Sequence, residues 1–241
     1  MNEAVIQPFR AKNEPQLPSC GLLLLNPAEA RQASRIAEHE GWTRHFLFHS
    51  NLYLAQFPPM FWAGPAVGAP MAVICLEKLI ALGAQRIIVC GWCGSLQPDL
   101  GVGDLVLPTW AVSEEGTSGH YPLAEASESS PRLRMALKDF FAGTGKELRE
   151  GAVWTTDALY RETREKVVRY GAEGILAVEM EFSALVRVAA FRQVELAAVM
   201  VVSDLLWQNP WQPAFQSKEF RQRSLGLVND LVQCIGALSA E

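Results

Sequence analysis

Two glutamates flank a methionine in Val178-Glu179-Met180-Glu181, between a short apolar run and a helical pattern. Carboxylates in such apolar company are costly to bury unless they accept hydrogen bonds. The adjacent hydroxyls of a ribose offer such donors, and methionine gives a soft apolar surface for a sugar face. A second reading is that the glutamates favour a helix N-terminus through the macrodipole. Further along, Val202-Ser203-Asp204 follows directly on the apolar run Ala197–Val202. An acid there serves as a turn or N-cap residue, or as a general acid toward a leaving group, a role worth about 10²–10⁴-fold in rate. Gly91-Trp92-Cys93-Gly94 is the third constellation. Taken as a sharp turn after a strand, its glycines let backbone N–H groups approach an anion or a base edge. Taken plainly, it is a tight turn in a packed sheet.

Other chemistries find less support. Cys90 and Cys93 form a Cys-Gly-Trp-Cys pair, but there is no second pair for zinc and Cys90 lies inside an apolar run. The five cysteines are therefore expected to be reduced, and no metal is expected. His39, His45 and His49 show no metal-ligand pattern, whereas His120 falls in a long polar loop. Leu25-Asn26-Pro27-Ala28 is unlike the Gly-x-Gly-x-x-Gly of a nicotinamide-binding turn. Trp207 and Trp211 flank Asn209-Pro210 and suit either a cover over a base or a subunit contact.

These residues need a scaffold, and the rest of the chain supplies one. With 241 residues, 49% apolar and 20% charged, it has enough material for one large soluble domain. A net charge of -5 without long charge runs argues against nucleic acid or an anionic membrane as partner. The apolar stretches are strand-sized, and Met1–Pro18 has no signal-peptide core, so a cytoplasmic protein is expected. Strands are predicted at Gly21–Leu25, Leu52–Phe57, Met60–Ala63, Arg86–Cys90, Asp104–Val112, Leu148–Thr155, Ile175–Val178 and Leu196–Val202. Helices are predicted at Glu29–Glu40, Pro70–Leu82, Pro131–Phe141, Glu162–Tyr170, Glu179–Phe191 and Phe215–Leu238. Continuous apolar strands alternating with helices predict a single-domain α/β fold: a three-layer sandwich around a mixed, mostly parallel central sheet. Residues 1–20 read as an N-terminal extension and 21–241 as the catalytic domain. In such a sheet, ligands bind outside the carboxyl ends of strands, where all three constellations fall.

From about Gly21 to the last helix the sequence resembles the nucleoside phosphorylase family, which includes bacterial purine nucleoside phosphorylases, uridine phosphorylases and adenosylhomocysteine nucleosidases. The likeness is most specific over Gly174–Asp204, with Val178-Glu179-Met180-Glu181 and Ser203-Asp204. Gly64–Pro70 and Gly91–Val106 are similar to the family's glycine-rich loop and central strands, and Glu114–Ser118 with His120-Tyr121 is similar to the uridine phosphorylase subgroup. The resemblance implies that Glu181 accepts the ribose hydroxyls, that Met180 packs on the sugar, and that Glu179 and Val178 line the pocket. It places Thr156, Asp157, Leu159 and Tyr160 beside the base, with Trp92, Cys93 and Gly94 opposite. Asp204, beside Ser203, becomes the acid that protonates N7, which favours a purine.

The expected reaction is phosphorolysis of a purine nucleoside to base and ribose 1-phosphate, as in purine salvage. It needs inorganic phosphate and no cofactor, and a homo-oligomer (dimer, trimer or hexamer) is implied. Two departures bear on phosphate. Val89 and Trp92 stand where the family has an arginine and a hydroxyl, and Leu25-Asn26-Pro27 stands where it has Gly-Asp-Pro. Arg31, Arg35, Arg44 and Gly91 remain as candidate phosphate ligands, and Lys218 or Arg221 as the arginine that assists the acid. The alternatives are a nucleosidase using water, for which Glu29 is the candidate base, and a noncatalytic nucleoside-binding protein.

Overall fold

A computed structural model describes residues 4–123 and 125–239 of the chain. Every residue of the first strand, β1 (Cys20–Leu24), is buried, as a strand between two helical layers requires. Pro27 opens α1 (Pro27–His39), where its missing N–H is not needed. A hairpin of β2 (Thr43–Leu47) and β3 (Ser50–Ala55) leads to β4 (Met60–Gly64) and α2 (Ala69–Ala81). Then come β5 (Arg86–Ser95), β6 (Leu105–Glu114), α3 (Pro131–Gly143), β7 (Leu148–Thr156), α4 (Arg164–Ala172) and β8 (Ala177–Glu179). The chain closes with α5 (Phe182–Arg192), β9 (Glu195–Leu205), β10 (Gln212–Pro213) and α6 (Lys218–Ser239).

The strands form one sheet in the order β10-β9-β6-β7-β8-β5-β1-β4-β3-β2. Because β9 also pairs with β5, the strands β5, β9, β6, β7 and β8 close into a ring, from which β1, β4, β3 and β2 continue as an open sheet. The two longest registers, β5 with β9 and β6 with β7, are parallel. Helices α2 and α5 cover one face, and α1, α3 and α6 the other. This is the mixed, mostly parallel three-layer sandwich predicted by the alternation of elements.

Three local expectations change. β2 has no apolar alternation because most of its residues are exposed, so only its antiparallel pairing with β3 reveals it. Helix α5 begins at Phe182 rather than Glu179, leaving both glutamates at the strand-to-helix junction. Gly91-Trp92-Cys93-Gly94 is not a turn. β5 runs through it to Ser95, paired with β9 and shifting register only between Cys93 and Gly94. Space explains these two glycines: a Cβ on Gly91 would stand 2.8 Å from Leu25 Cδ1, and one on Gly94 would stand 2.1 Å from Leu206 Cδ1.

The segment before β1 lies along α2, where Lys78 Nζ donates to Phe9 O at 2.7 Å and pairs with Glu14 at 2.6 Å. Of the two expected segments, residues 1–3, 124 and 240–241 lie outside the described residues. Among the described residues no helix is long and apolar enough to cross a membrane. Phe182, fully buried at the first position of α5, anchors the junction in the core. Phe182→Ala is expected to lower unfolding free energy in urea by about 3–5 kcal/mol. A loss below about 1 kcal/mol, in the range of a surface change, would show that this junction is not held by the core.

Candidate functional site

The register of three strands brings the sequence candidates to one place. Gly94 on β5 is paired with Val178 of β8 on one side and with Asp204 of β9 on the other. Two strand spacings separate those neighbours, roughly 10 Å, about the length of a sugar joined to a base. The Asp204 carboxylate lies over Gly94, with Oδ2 3.1 Å from the place a Cβ would take. Cys93 feels both sides: burial, then the charges of Asp204 and Glu179, push its thiol well above its ordinary range. It is therefore held as a thiol rather than a nucleophilic thiolate.

On the β8 side, Glu179 is buried and accepts from the N–H groups of Glu181 and Phe182, both at 2.7 Å, and from the Thr155 hydroxyl. It thus caps the helix that follows it. Thr155 in turn accepts from the Ser183 N–H at 3.0 Å, which ties β7 to α5. Glu181 occupies the N-cap position and accepts the Gly68 N–H at 2.5 Å, joining α5 to the loop before α2. Burial pushes both carboxyls up, and the charge of Glu181 adds to the shift of Glu179. Two acids so close titrate as a pair. Met180 between them is half-buried.

On the β9 side, Asp204 Oδ1 accepts from Ser203 Oγ at 2.7 Å and Oδ2 from Trp211 Nε1 at 2.8 Å. Burial raises its pKa, while these two donors oppose the shift. Asp204 faces a cavity of about 540 Å³ walled by Leu159, Tyr160, Trp211 and Phe215. Glu162 and Arg164 also line it. Trp211 stands 6.0 Å from Phe215, which stacks 6.0 Å from Trp92.

The other candidates are placed as follows. Tyr160 is 95% exposed and forms a rim rather than an enclosed wall. Thr156 is buried and accepts the Ala158 N–H, and the exposed Asp157 accepts the Gly116 N–H, so both brace loops. Trp92 donates from Nε1 to Glu29 Oε1 and to Ser224 Oγ, both at 3.0 Å. Glu29 is 1% exposed, and its Oε2 has no partner among the described residues. Of the phosphate candidates, Gly91 is buried under Leu25. Arg31 and Arg44 are exposed on α1 and β2, each hydrogen-bonded to its own neighbourhood, so within one chain the three are not brought together. Arg35, Lys218 and Arg221 are exposed as well. His120 lines a different, largely apolar cavity between the N-terminal segment, α2 and α5.

Sequence reasoning missed Thr155, Gly68, Glu115 and Glu162. Glu115 is buried and accepts from Ser113, Thr117, Ser118 and Ser183, which orders the start of the polar loop over α5. The Glu114-Glu115 pair carried a signal, but only the fold shows which of the two turns inward. Among the described residues no three His, Cys, Asp or Glu side chains group as a metal site.

Residues 20–233 match the family model described as the phosphorylase superfamily. The chain belongs to the phosphorylase superfamily. A guanosine phosphorylase of Halorubrum lacusprofundi is 33% identical over 145 residues, 58% of each chain. A DeoD-type purine nucleoside phosphorylase of Bacillus cytotoxicus is 34% identical over 148 residues, 58% of this chain and 61% of that protein. The chain thus spans about three-fifths of the curated relatives it matches. Among solved structures, a Toxoplasma gondii purine nucleoside phosphorylase in complex with immucillin-H superposes with TM-score 0.82 at 22% identity, covering 100% of this chain and 99% of that one. A Vibrio fischeri uridine phosphorylase gives 0.80 at 21% identity, covering 94% and 93%. At these identities the superpositions establish the superfamily's fold.

The buried glutamate pair has a pH signature. Its folded-state affinity for protons is raised, so the stability tied to that proton is fully present below the ordinary carboxylate value of 4.5. It is lost as pH rises towards about 8. Unfolding midpoints in urea are expected to fall across that window in the native chain and to fall less steeply in Glu181→Gln. Identical slopes in the two proteins would show that this pair carries no linked proton.

Proposed function

We propose that this chain cleaves the N-glycosidic bond of a purine nucleoside and transfers the ribosyl group to phosphate. The observation that carries the reading is the carboxyl of Asp204, desolvated, raised in pKa and facing an aromatic-walled cavity at a strand end. Burial favours the protonated form of Asp204, and the Ser203 hydroxyl and Trp211 N–H are ready to stabilise the carboxylate once the proton has gone. In the reaction the proton passes from Asp204 to N7 of the base. The bond from C1′ to N9 breaks with its electron pair leaving on the base, and a phosphate oxygen forms the new bond to C1′. Glu181 and Met180, just past the end of β8, are the groups that would hold the ribose hydroxyls and sugar face. The matched relatives act on purine nucleosides by name, which supports the choice of base and of acceptor.

One observation favours a second reading, hydrolysis. The buried carboxylate of Glu29, with Trp92 stacked into the same corner, occupies the position where the family resemblance puts phosphate ligands. A buried carboxylate disfavours a bound anion, and its unpartnered oxygen suits a water.

Base release from purine and pyrimidine nucleosides, with and without phosphate, tests both. Phosphate-dependent release of purines is the expected result, and Asp204→Asn is expected to lower kcat by about 10²–10⁴-fold. Release at equal rate without phosphate would establish hydrolysis. An unchanged rate in Asp204→Asn would remove the acid from the mechanism. No release from any nucleoside would leave a binding protein.

A further inference from the structure

We propose that Glu162 reads the base, selecting nucleosides whose base carries an N–H donor on its six-membered ring, either an exocyclic amino group or a ring amide N–H. This rests on the reading of Asp204 and its cavity as the base site, and it names a substrate class within that site.

Glu162 stands where the chain turns from β7 into α4, one residue before the N-cap Thr163. Its position is imposed by the backbone: Arg161 N–H donates to Ala158 O, Glu162 N–H to Leu159 O and Thr163 N–H to Arg161 O, at 2.7, 3.3 and 2.9 Å. The side chain is half-buried and lines the same cavity as Asp204, between the Tyr160 rim and the Trp211 and Phe215 walls. Among the described residues it makes no ion pair, and no side-chain hydrogen bond is formed by its carboxyl. Of the two arginines beside it in sequence, Arg161 is exposed and makes no ion pair with it among the described residues, and Arg164 is already committed. Arg164 donates to the carbonyls of Leu206, Trp207 and Gln208 at 2.6, 3.2 and 2.7 Å, fastening the loop that carries Trp211. A half-buried acid without a partner is costly unless a ligand supplies one.

The chemistry of the cavity narrows that ligand. Aromatic walls suit a flat ring, and Asp204 is occupied with the donors of Ser203 and Trp211 on one side and the base on the other. Burial, with the charge of Asp204 beside it, pushes Glu162 up to about 8. Whether protonated or ionised, the group keeps an oxygen that accepts and is matched by an N–H on the base; when protonated its O–H also donates, so a bare ring nitrogen satisfies only that half of the group. Adenine, guanine and hypoxanthine each bring such a donor, and unsubstituted purine brings none. A solvated surface glutamate would show no preference among these bases.

The experiment compares adenosine, guanosine, inosine and purine riboside as substrates for the wild type, Glu162→Leu and Glu162→Gln. In parallel, calorimetry measures binding of the free bases adenine, guanine, hypoxanthine and purine to the same proteins. The wild type is expected to favour at least one donor-bearing base over purine by about 10- to 100-fold in kcat/KM and in Kd, the range of a hydrogen bond to a charged or buried group. Glu162→Leu is expected to erase that preference by lowering only the donor-bearing bases, and Glu162→Gln, which keeps a carbonyl acceptor, to restore part of it. Equal losses on all four bases, or an unchanged preference, would overturn the proposal while leaving the cleavage reaction standing. Glu162-dependent base binding without turnover would support base reading and overturn the cleavage reading. Neither turnover nor binding of any base by the wild type would overturn both.

Discussion

A carboxylate taken out of water must find donors or a proton, and the carboxylate of Glu179 finds three donors from two elements. The N–H groups at the start of α5 and the Thr155 hydroxyl of β7 converge on it, so β7, β8 and α5 meet at one point. Thr155 then receives the Ser183 N–H, and Glu181 receives the Gly68 N–H, so the constraint extends to α2 through its preceding loop. Each bond satisfies a helix N-terminus that would otherwise be left open. The same network holds Met180 and Glu181 at the mouth of the strand rather than inside the helix. A site built this way is as rigid as the core beneath it, and Phe182 anchors that core.

The opposite half of the site depends on a single glycine register. Gly94 lies between Val178 and Asp204 and leaves room for Leu206 and for the Asp204 carboxylate. The loop after β9 is drawn back over this point by Arg164 and β10, which brings Trp211 to Asp204. From there the aromatic series Trp211, Phe215 and Trp92 links the Asp204 cavity to the buried Glu29 and Ser224. The two ends differ in character. At the Asp204 end two acids line a cavity, and at the Trp92 end one acid is sealed among an indole, a serine and the start of α1.

This contrast bears on how a family scaffold can be re-used. The sheet is a matter of packing, and its fold is shared with proteins of about one-fifth identity. The corner around Trp92 is assembled from β5, α1 and α6, which supply Trp92, Glu29 and Ser224. Trp92 Nε1, Glu29 Oε1 and Ser224 Oγ fit the corner together, each a hydrogen-bond partner of the others.

How much of this was legible in the sequence follows from the range of the interactions. Continuous apolar runs report burial on both faces, so β1, β5 and β9 and the three-layer architecture could be read directly. The acids at Glu179, Glu181 and Asp204 were visible as candidates because carboxyls beside apolar runs require an explanation. Strand pairing was not visible. The exposed β2 shows only through its hairpin pairing with β3, the straight passage of β5 through Gly91–Gly94 depends on β9 about a hundred residues away, and a local glycine signal reads the same in a turn and in a crowded strand. Glu162 carried no signal at all, since nothing around it in sequence distinguishes it from a solvated helix-start acid. The sequence by itself determined the elements, their order and the acids at two strand ends. Only the tertiary structure decided which strands became neighbours, and hence which acids share a cavity, because that choice is made by hydrogen-bond registers and packing between distant segments.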